Sequence, residues 1–457
     1  MRRTLFLSIL LGFVTLSFGV PPKDDLNAVA EKYAHLVLAL GQHDPDYVDA
    51  FYGPPEWKTQ AEKEKKSLDA IATEAAQLLE QLKVDRTAAP LVDSSKTENG
   101  GDEMLKLRRE YLQKQISALA ARVGILKGEK LTFDRESHLL YDAVAPMYVD
   151  SHFDEIIAQI DKKIPGKNGQ SGPPVGRTRP VASSDLWQRY EEWRKPFMIP
   201  KEKLDAVFQA AIKECRARTL AHIALPPNES FTVEYVTNKP WGGYNWYKGN
   251  FHSVIQVNTD LPIYIDRAVD LAAHEGYPGH HVYNSLLEKN LVRDRGWMEF
   301  SVYALFSPQS LIAEGTANFG REVAFPSKAD RMKFEKEVLF PAAGIDPKRA
   351  DEYYAVQDLM KDLNFAPNEA ARRLINGEVN EKDTEKWLQQ YGVMEPARAQ
   401  QRVKFIQRYR SYVINYNLGE DMVKKYIEKR AGKDADKKWS EFGKLLASPL
   451  LPSGLTQ

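Results

Sequence analysis

The sequence predicts a mainly α fold with one small antiparallel β-sheet. Apolar residues recur at helical spacing over most of the chain. One stretch, residues 231–257, is instead rich in β-branched and aromatic residues and contains a pair of glycines, which is typical of short strands. The chain has 457 residues with 43% hydrophobic content, which is ample for a large core.

The N-terminus carries the pattern of a secretory signal. Arg2 and Arg3 precede an apolar run over residues 5–18, and small residues lead to Gly19. This run is shorter than the ~20 residues that a membrane-spanning helix needs, which favours a cleaved signal over an anchor. We therefore predict a signal peptide at residues 1–19, a periplasmic or secreted protein, and no membrane association after cleavage.

Charge and cysteine usage narrow the function classes. The 63 basic and 63 acidic residues balance, so no basic excess points to nucleic acid. Cys215 is the only cysteine, which excludes an intramolecular disulfide. We expect this cysteine to be buried in a helix, and export without disulfides suits a bacterial periplasm.

The N-terminal region, residues 20–163, is predicted to be helical. A first helix should end near Gly41, and two charged helices follow at about 56–82 and 103–126. Residues 164–184 then contain eight Gly and Pro residues, a density that cannot continue a helix. We predict a linker or a long surface loop there.

The remaining region, residues 185–457, begins with two predicted helices. Residues 231–236 and 251–257 are then predicted to pair as antiparallel strands, with Gly242 and Gly243 between them. After these strands the pattern returns to helix almost to the end of the chain.

Three of the nine histidines fall within eight residues of this region. They are His274, His280 and His281, and Glu275 follows the first of them. Zinc binds imidazole and carboxylate ligands, and a catalytic zinc site has three protein ligands and a water. The common zinc-peptidase helix has histidines at positions i and i+4 with a glutamate after the first. Here position i+4 is Pro278, so that spacing is not present.

Pro278 and Gly279 predict a bulge or a break in this helix. On a regular helix, positions i and i+6 lie about 240° apart and positions i and i+7 about 10.5 Å apart along the axis. Neither pair could chelate one ion, but Pro278 clashes with the carbonyl of His274 and Gly279 tolerates unusual dihedral angles. A two-residue bulge would bring His280 to the second ligand position. We therefore predict His280 as the ligand, with His281 as an alternative ligand or a supporting residue.

A third ligand is expected from a second helix, predicted at residues 307–322. Glu314 lies on it, 34 residues after His280, a separation typical of two packed helices. Asn318 lies one turn later on the same face, where it could orient a ligating imidazole. We predict Zn²⁺ bound by His274, His280 and Glu314, with Glu275 as the general base that takes a proton from water.

These residues resemble a known family. The series His-Glu-x-x-Pro-Gly-His-His at 274–281, with Glu-Gly at 314–315, is similar to the family called domain of unknown function 885, which resembles the thermolysin-type zinc peptidases called gluzincins. Further similar segments, which extend the resemblance over most of the mature chain, are 51–53, 133–134, 140–144, 257–259 and 416–419. The resemblance implies a helical peptidase-like fold with the sheet beside the metal-binding helices, a zinc ion and peptide-bond hydrolysis. It also implies Tyr416 as a donor to the oxyanion.

The chain departs from the family near its end. The positions of the family's acidic residue and arginine are Arg402 and Phe405 here, and the position of an expected Gln is Tyr412. Arg408 or Arg410 could supply the missing guanidinium for an anionic peptide terminus, although both also fit solvated helix charges.

Three functions are compatible with these residues. The main prediction is a zinc peptidase acting on peptides, with residues 250–258 as an edge strand that pairs with an extended substrate. A zinc amidase or esterase acting on a non-peptide substrate would use the same machinery. A degenerate peptidase kept as a binding module is supported only by the departures at Arg402 and Phe405, and Glu275 argues against it because a binding site needs no general base.

Overall fold

The structure is a computed structural model that describes residues 26–83, 100–166, 185–239 and 241–456. The predicted signal peptide and most of the predicted linker lie outside the described residues. The mainly α fold with a small sheet is confirmed. No helix in the described ranges is both long enough and apolar enough to cross a membrane.

The N-terminal region is built from six helices and one strand within its described residues. In chain order they are α1 (Leu26–Leu40), β1 (Val48–Phe51), α2 (Pro55–Glu64), α3 (Leu68–Lys83), α4 (Gly100–Leu126), α5 (Phe133–Tyr141) and α6 (Asp150–Lys163). The single helix predicted at 56–82 is therefore two helices. Lys65 ends the first of them because it adopts a left-handed conformation, with φ of 48°, and its N–H bonds to the carbonyl of Ala61.

The second region begins with two helices and a three-stranded sheet and continues as helices. Its elements up to the second metal-site helix are α7 (Leu186–Arg194), α8 (Leu204–Leu220), β2 (Ser230–Val236), β3 (Gly243–Tyr247), β4 (His252–Asn258), α9 (Asp266–Leu271), α10 (His280–Leu287), β5 (Val302–Ala304) and α11 (Pro308–Ala324). The later helices are α12 (Lys328–Phe334), α13 (Phe340–Ala343), α14 (Ala350–Asp362), α15 (Ala366–Ile375), α16 (Glu381–Tyr391), α17 (Pro396–Tyr409), α18 (Ile414–Ala431) and α19 (Ala435–Leu446). Cys215 is buried in α8, as predicted.

The three-stranded sheet has the order β2–β4–β3, with β4 at its centre. β4 is parallel to β2 and antiparallel to β3. The prediction that residues 231–236 and 251–257 form an antiparallel pair is therefore wrong, because the chain between them forms β3 and turns back before β4 begins. For the same reason the predicted edge strand at 250–258 is wrong: it contains the central strand, and the edges are β2 and β3.

Two contacts hold the elements around the predicted metal site together. β1 pairs with β5 in a second, antiparallel sheet, which brings the N-terminal region against the metal-site helices. Helices α11 and α18 cross at two glycines: a Cβ on Gly315 would lie 2.4 Å from the backbone of Gly419. Both glycines therefore allow a close approach of the two helix backbones, and α18 is held directly beside Glu314.

Candidate metal centre

The helix that carries His274 ends at a π-helical turn. α9 continues into this turn, Ala272–Gly276, and α10 begins at His280 after Pro278 and Gly279. A Cβ on Gly279 would lie 1.9 Å from the carbonyl oxygen of His274, so only glycine fits at this position. The predicted break of the helix at Pro278 and Gly279 is confirmed.

This break places His280 opposite His274. The Nε2 atoms of the two rings are 3.1 Å apart. Glu314 on α11 completes a triangle, since its Oε2 lies 3.3 Å from Nε2 of His274 and 3.7 Å from Nε2 of His280. Three ligand atoms at about 2.0–2.1 Å from one tetrahedral zinc lie about 3.3 Å from each other. The three predicted ligands are thus brought together at separations that suit a single zinc ion.

The two oxygen atoms of the Glu314 carboxylate have different neighbours. Oε1 accepts a hydrogen bond from the Tyr412 hydroxyl at 2.8 Å. Oε2 faces the two imidazoles, is buried, and accepts no hydrogen bond from any described residue. A buried carboxylate oxygen without a donor is costly unless a cation satisfies it. The residues present therefore fit a metal ion at this position.

The charges of the three side chains are strongly coupled. Burial opposes ionisation of Glu314, but the imidazoles of His274 and His280 outweigh it and hold the pKa of the carboxyl well below its usual range. Burial also opposes the charge on His274, yet Glu314 and Glu275 raise the pKa of this imidazole to about 9. Ligands must be deprotonated to bind a metal, so metal binding here competes with a proton on the imidazole.

Glu275 lies beside the ligands and is only 4% exposed. One of its carboxylate oxygens and a ring nitrogen of each of His274 and His280 all lie within 4.8 Å of one another. Its own backbone carbonyl accepts a hydrogen bond from Asn245 on β3 at 2.7 Å. Burial raises the pKa of Glu275, and the nearby imidazoles offset this only in part. The predicted base is therefore a partly desolvated carboxylate next to the metal position.

Asn318, on α11, links the His274 side chain to α18. Its Oδ1 lies 2.9 Å from Nδ1 of His274, and its Nδ2 donates to the carbonyl of Tyr416 at 2.7 Å. With Nδ2 committed to a carbonyl, Oδ1 accepts from the imidazole, which leaves Nε2 of His274 free toward Glu314 and His280. Asn318 thus lies where the sequence predicted a residue that orients His274.

His281 faces away from the cluster and is fully buried. Its Nε2 donates to Glu229 at 2.9 Å, and its Nδ1 lies 2.9 Å from the Ser253 hydroxyl. Glu229 also accepts from Tyr277 and Arg216, at 2.5 Å each. Both ring nitrogens of His281 are therefore engaged in fastening α10 to the sheet, and His280 is the histidine that faces His274.

Tyr416 lies near the site on α18 and is half-buried. Burial and the negative charges of Glu314 and Glu275 raise the pKa of its hydroxyl, while Arg402 lowers it. The two arginines considered as guanidinium donors are elsewhere: Arg408 pairs with Asp46, and Arg410 pairs with Glu136. Tyr416 is thus brought to the site, but Arg408 and Arg410 are not.

Tyr412 is a site residue that the sequence did not predict. It stands where the resemblance implies a Gln. A signal was present, because Tyr412 precedes Tyr416 by one helical turn and so shares its face. Such spacing is also typical of core packing, but the Tyr412 hydroxyl donates a hydrogen bond to the predicted metal ligand Glu314.

Comparisons with known proteins reveal only distant likenesses. No protein-family model matches the chain, and no curated protein matches it. A presumed lipoprotein from Colwellia psychrerythraea has a TM-score of 0.49 at 12% identity, over 93% of this chain and 74% of its own. A presumed lipoprotein of unknown function from Shewanella oneidensis has a TM-score of 0.45 at 14% identity, over 97% and 79%. An M32 carboxypeptidase from Deinococcus radiodurans R1 has a TM-score of 0.35 at 12% identity, over 92% and 88%. These scores are too low to carry a functional argument, which depends on the site itself.

Proposed function

We propose that this protein is an exported zinc-dependent metallohydrolase, and specifically a peptidase of the periplasm or the cell exterior. The observation that carries the proposal is the triangle of His274, His280 and Glu314, with side lengths of 3.1, 3.3 and 3.7 Å, beside the buried carboxylate of Glu275. A purely structural zinc site has four closed protein ligands and no general base.

The chain's own residues supply binding and proton transfer. When bound, zinc supplies a Lewis acid toward a substrate carbonyl and lowers the pKa of water. Glu275, whose pKa is raised by burial, accepts a proton from that water and passes it to the leaving amine. Tyr416, on the helix beside Glu314, donates a hydrogen bond to the developing oxyanion in this proposal. Tyr412 and Asn318 hold Glu314 and His274 in position.

The sheet supports a peptide rather than another acyl substrate. β3 is the edge strand next to Glu275, and its Asn245 binds the Glu275 carbonyl. An extended peptide can add to the outer edge of such a strand through backbone hydrogen bonds. A small ester or amide has no backbone to pair in this way.

The metal assignment is tested by metal content. We expect about one zinc per chain in the purified mature protein, and loss of that zinc in His280→Ala and in Glu314→Ala. His281→Gln serves as the matched control, since His281 faces Glu229, and it should retain zinc while its unfolding temperature falls. Zinc lost from His281→Gln but kept in His280→Ala would reverse the ligand assignment.

The peptidase assignment is tested by turnover of a peptide library. Glu275→Gln should retain zinc and lose about 10²-fold or more in kcat/KM, because the amide cannot accept a proton. A parallel panel of esters, amides and cell-wall fragments separates the peptidase from a non-peptide hydrolase. Zinc content with no turnover on any substrate, unchanged by Glu275→Gln, would instead indicate a binding protein.

A further inference from the structure

Helix α17 carries two arginines that form no ion pair with any described residue. Arg398 and Arg402 lie one turn apart on this helix, so they share a face, and both are partly buried. Nε of Arg398 is fully buried and has no hydrogen-bond acceptor. Within the described parts of the chain, no carboxylate lies within ion-pair distance of either guanidinium.

Other shielded arginines of this protein are paired. Arg108 binds Glu299 at 2.6 Å, and Arg122 binds Asp44 at 2.6 Å. On α17 itself, Arg408 makes two hydrogen bonds to Asp46 although it is exposed. Removing a guanidinium from water without a counter-ion is unfavourable. An anion from outside the chain would therefore stabilise two such arginines that lie side by side.

Arg402 lies on the same side of the metal centre as Tyr416. Cζ of Arg402 is 5.3 Å from the ring centre of Phe405, and the rings of Phe405 and Tyr416 are 6.3 Å apart. The ring of Tyr412 is 5.7 Å from that of Tyr416, and its hydroxyl binds Glu314. A continuous row of side chains therefore leads from the metal position to Arg402, and Arg398 lies one turn before it on the same helix.

The pKa shifts of the side chains near Tyr416 agree with this position of Arg402. Arg402 and Glu275 both act on the pKa of the Tyr416 hydroxyl, in opposite directions. Burial lowers the pKa of Arg402. Burial together with the cations Arg194 and Arg267 lowers the pKa of Arg398, although the carboxylate of Glu191 acts in the opposite direction. These are the environments in which a bound anion would be most strongly stabilised.

We propose that Arg398 and Arg402 form a subsite for the C-terminal carboxylate of a peptide whose scissile bond lies at the metal centre. The subsite would make the protein act from the carboxyl end of its substrates. Guanidinium groups bind carboxylates through two parallel hydrogen bonds, which fix the orientation of the peptide end as well as its charge. This inference rests on the proposed peptidase function.

The test measures binding and does not depend on turnover. Zinc-loaded Glu275→Gln protein is titrated with a dansylated neutral tripeptide bearing a free carboxyl terminus, and with the same peptide as its C-terminal amide. We expect the free acid to bind at least about tenfold more tightly than the amide. Arg398→Gln and Arg402→Gln, each added to this background, should remove that difference. Arg408→Gln, the same change on the same helix at a residue paired with Asp46, should preserve it.

A third probe distinguishes the source of the carboxylate. The amide peptide with an internal Asp should bind as weakly as the neutral amide. Equal affinity of the Asp-containing amide and the free acid would overturn the C-terminal assignment, and equal affinity of all three peptides, or no binding of any, would overturn the subsite. Discrimination without hydrolysis by the wild type would reject the peptidase and leave the subsite standing. Equal hydrolysis of the acid and the amide peptide by the wild type would support the peptidase and reject the subsite.

Discussion

Gly243 determines how closely β3 approaches the predicted base. A Cβ at this position would lie 2.8 Å from Oε1 of Glu275 and 2.9 Å from Cδ2 of Leu271. The carboxylate is part of the site and Leu271 is buried, so neither neighbour can move without disturbing the helix that carries His274. The glycine pair that lies between the two strands predicted from the sequence therefore includes a residue whose missing side chain makes room for Glu275.

At the residue scale we predict that Gly243→Ala separates zinc binding from activity. The variant should keep its zinc and lose about tenfold or more in kcat/KM, because the added methyl group displaces Oε1 of Glu275 by a fraction of an ångström or more. Gly242→Ala is the matched control, since a Cβ there meets no atom within 4 Å among the described residues. Wild-type kinetics in Gly243→Ala would show that the Glu275 position is not critical.

Element packing at the site is governed by the crossing of α11 and α18. The two helices approach so closely that a Cβ on Gly419 would lie 2.7 Å from the carbonyl oxygen of Leu311. This contact places the Tyr412 hydroxyl, just before α18, against Oε1 of Glu314, and it brings the backbone carbonyl of Tyr416 to Asn318. The segments around Gly315 and Gly419, about a hundred residues apart in the chain, therefore contact each other through their backbones.

At this scale we predict that Gly315→Ala destabilises the fold. Its Cβ would lie 2.4 Å from the carbonyl carbon and oxygen of Gly419, and overpacking of this kind costs about 1–3 kcal/mol or more in the free energy of unfolding. Urea unfolding of the purified variant measures the loss. Gly443→Ala, in α19, is the control because its nearest neighbour would be 3.7 Å away, and we expect it to be neutral or mildly stabilising. Equal stability of the two variants would contradict the close crossing.

A buried acid contributes to the pH dependence of the whole molecule. Glu335 is 1% exposed, and its nearest cation, Arg331, is 3.9 Å away. Burial raises the pKa of this carboxyl to about 8, and Arg331 offsets the effect only in part. In the unfolded chain the same group ionises near its ordinary pKa of about 4.3. Between these two values the folded state holds a proton that the unfolded state has lost.

Proton linkage determines how the free energy of unfolding changes with pH through Glu335. Over the pH range from about 4.5 to 8, the wild-type free energy of unfolding should fall with rising pH through this group, by at most about 1.4 kcal/mol per pH unit. Glu335→Gln stays neutral and lacks this contribution, so its stability relative to wild type should increase between pH 5 and pH 8. Urea unfolding at both values measures the difference, and an unchanged difference would mean that Glu335 ionises normally.

The site also depends on contacts that span the whole chain. Asp49 on β1 accepts a hydrogen bond from Tyr244 on β3. Burial, together with Glu314 and Glu275, raises the pKa of Asp49 to about 8. The N-terminal region therefore forms part of the electrostatic environment of the metal centre, although the sequence assigned all of the predicted site residues to the region after the linker.

The features that local chemistry controls could be predicted from the amino-acid sequence. Helical periodicity gave the fold class, and the helix break arises where Pro278 cannot donate a hydrogen bond and only Gly279 fits against the backbone. Because these constraints act within a few residues, they could be derived without knowing the fold. They also placed His274 and His280 close enough to share an ion.

The features that depend on distant partners became visible only in the folded chain. The strand order, the burial of His281 on Glu229 and the bond from Tyr412 to Glu314 all join residues separated by tens of positions or more. Arg408 meets Asp46 across 362 positions and is thereby removed from the site. Arg402 meets no such partner among the described residues and keeps its charge beside Tyr416. Local pattern cannot foresee such pairings, because the energy of a charged side chain depends on which counter-ion the folded chain brings to it.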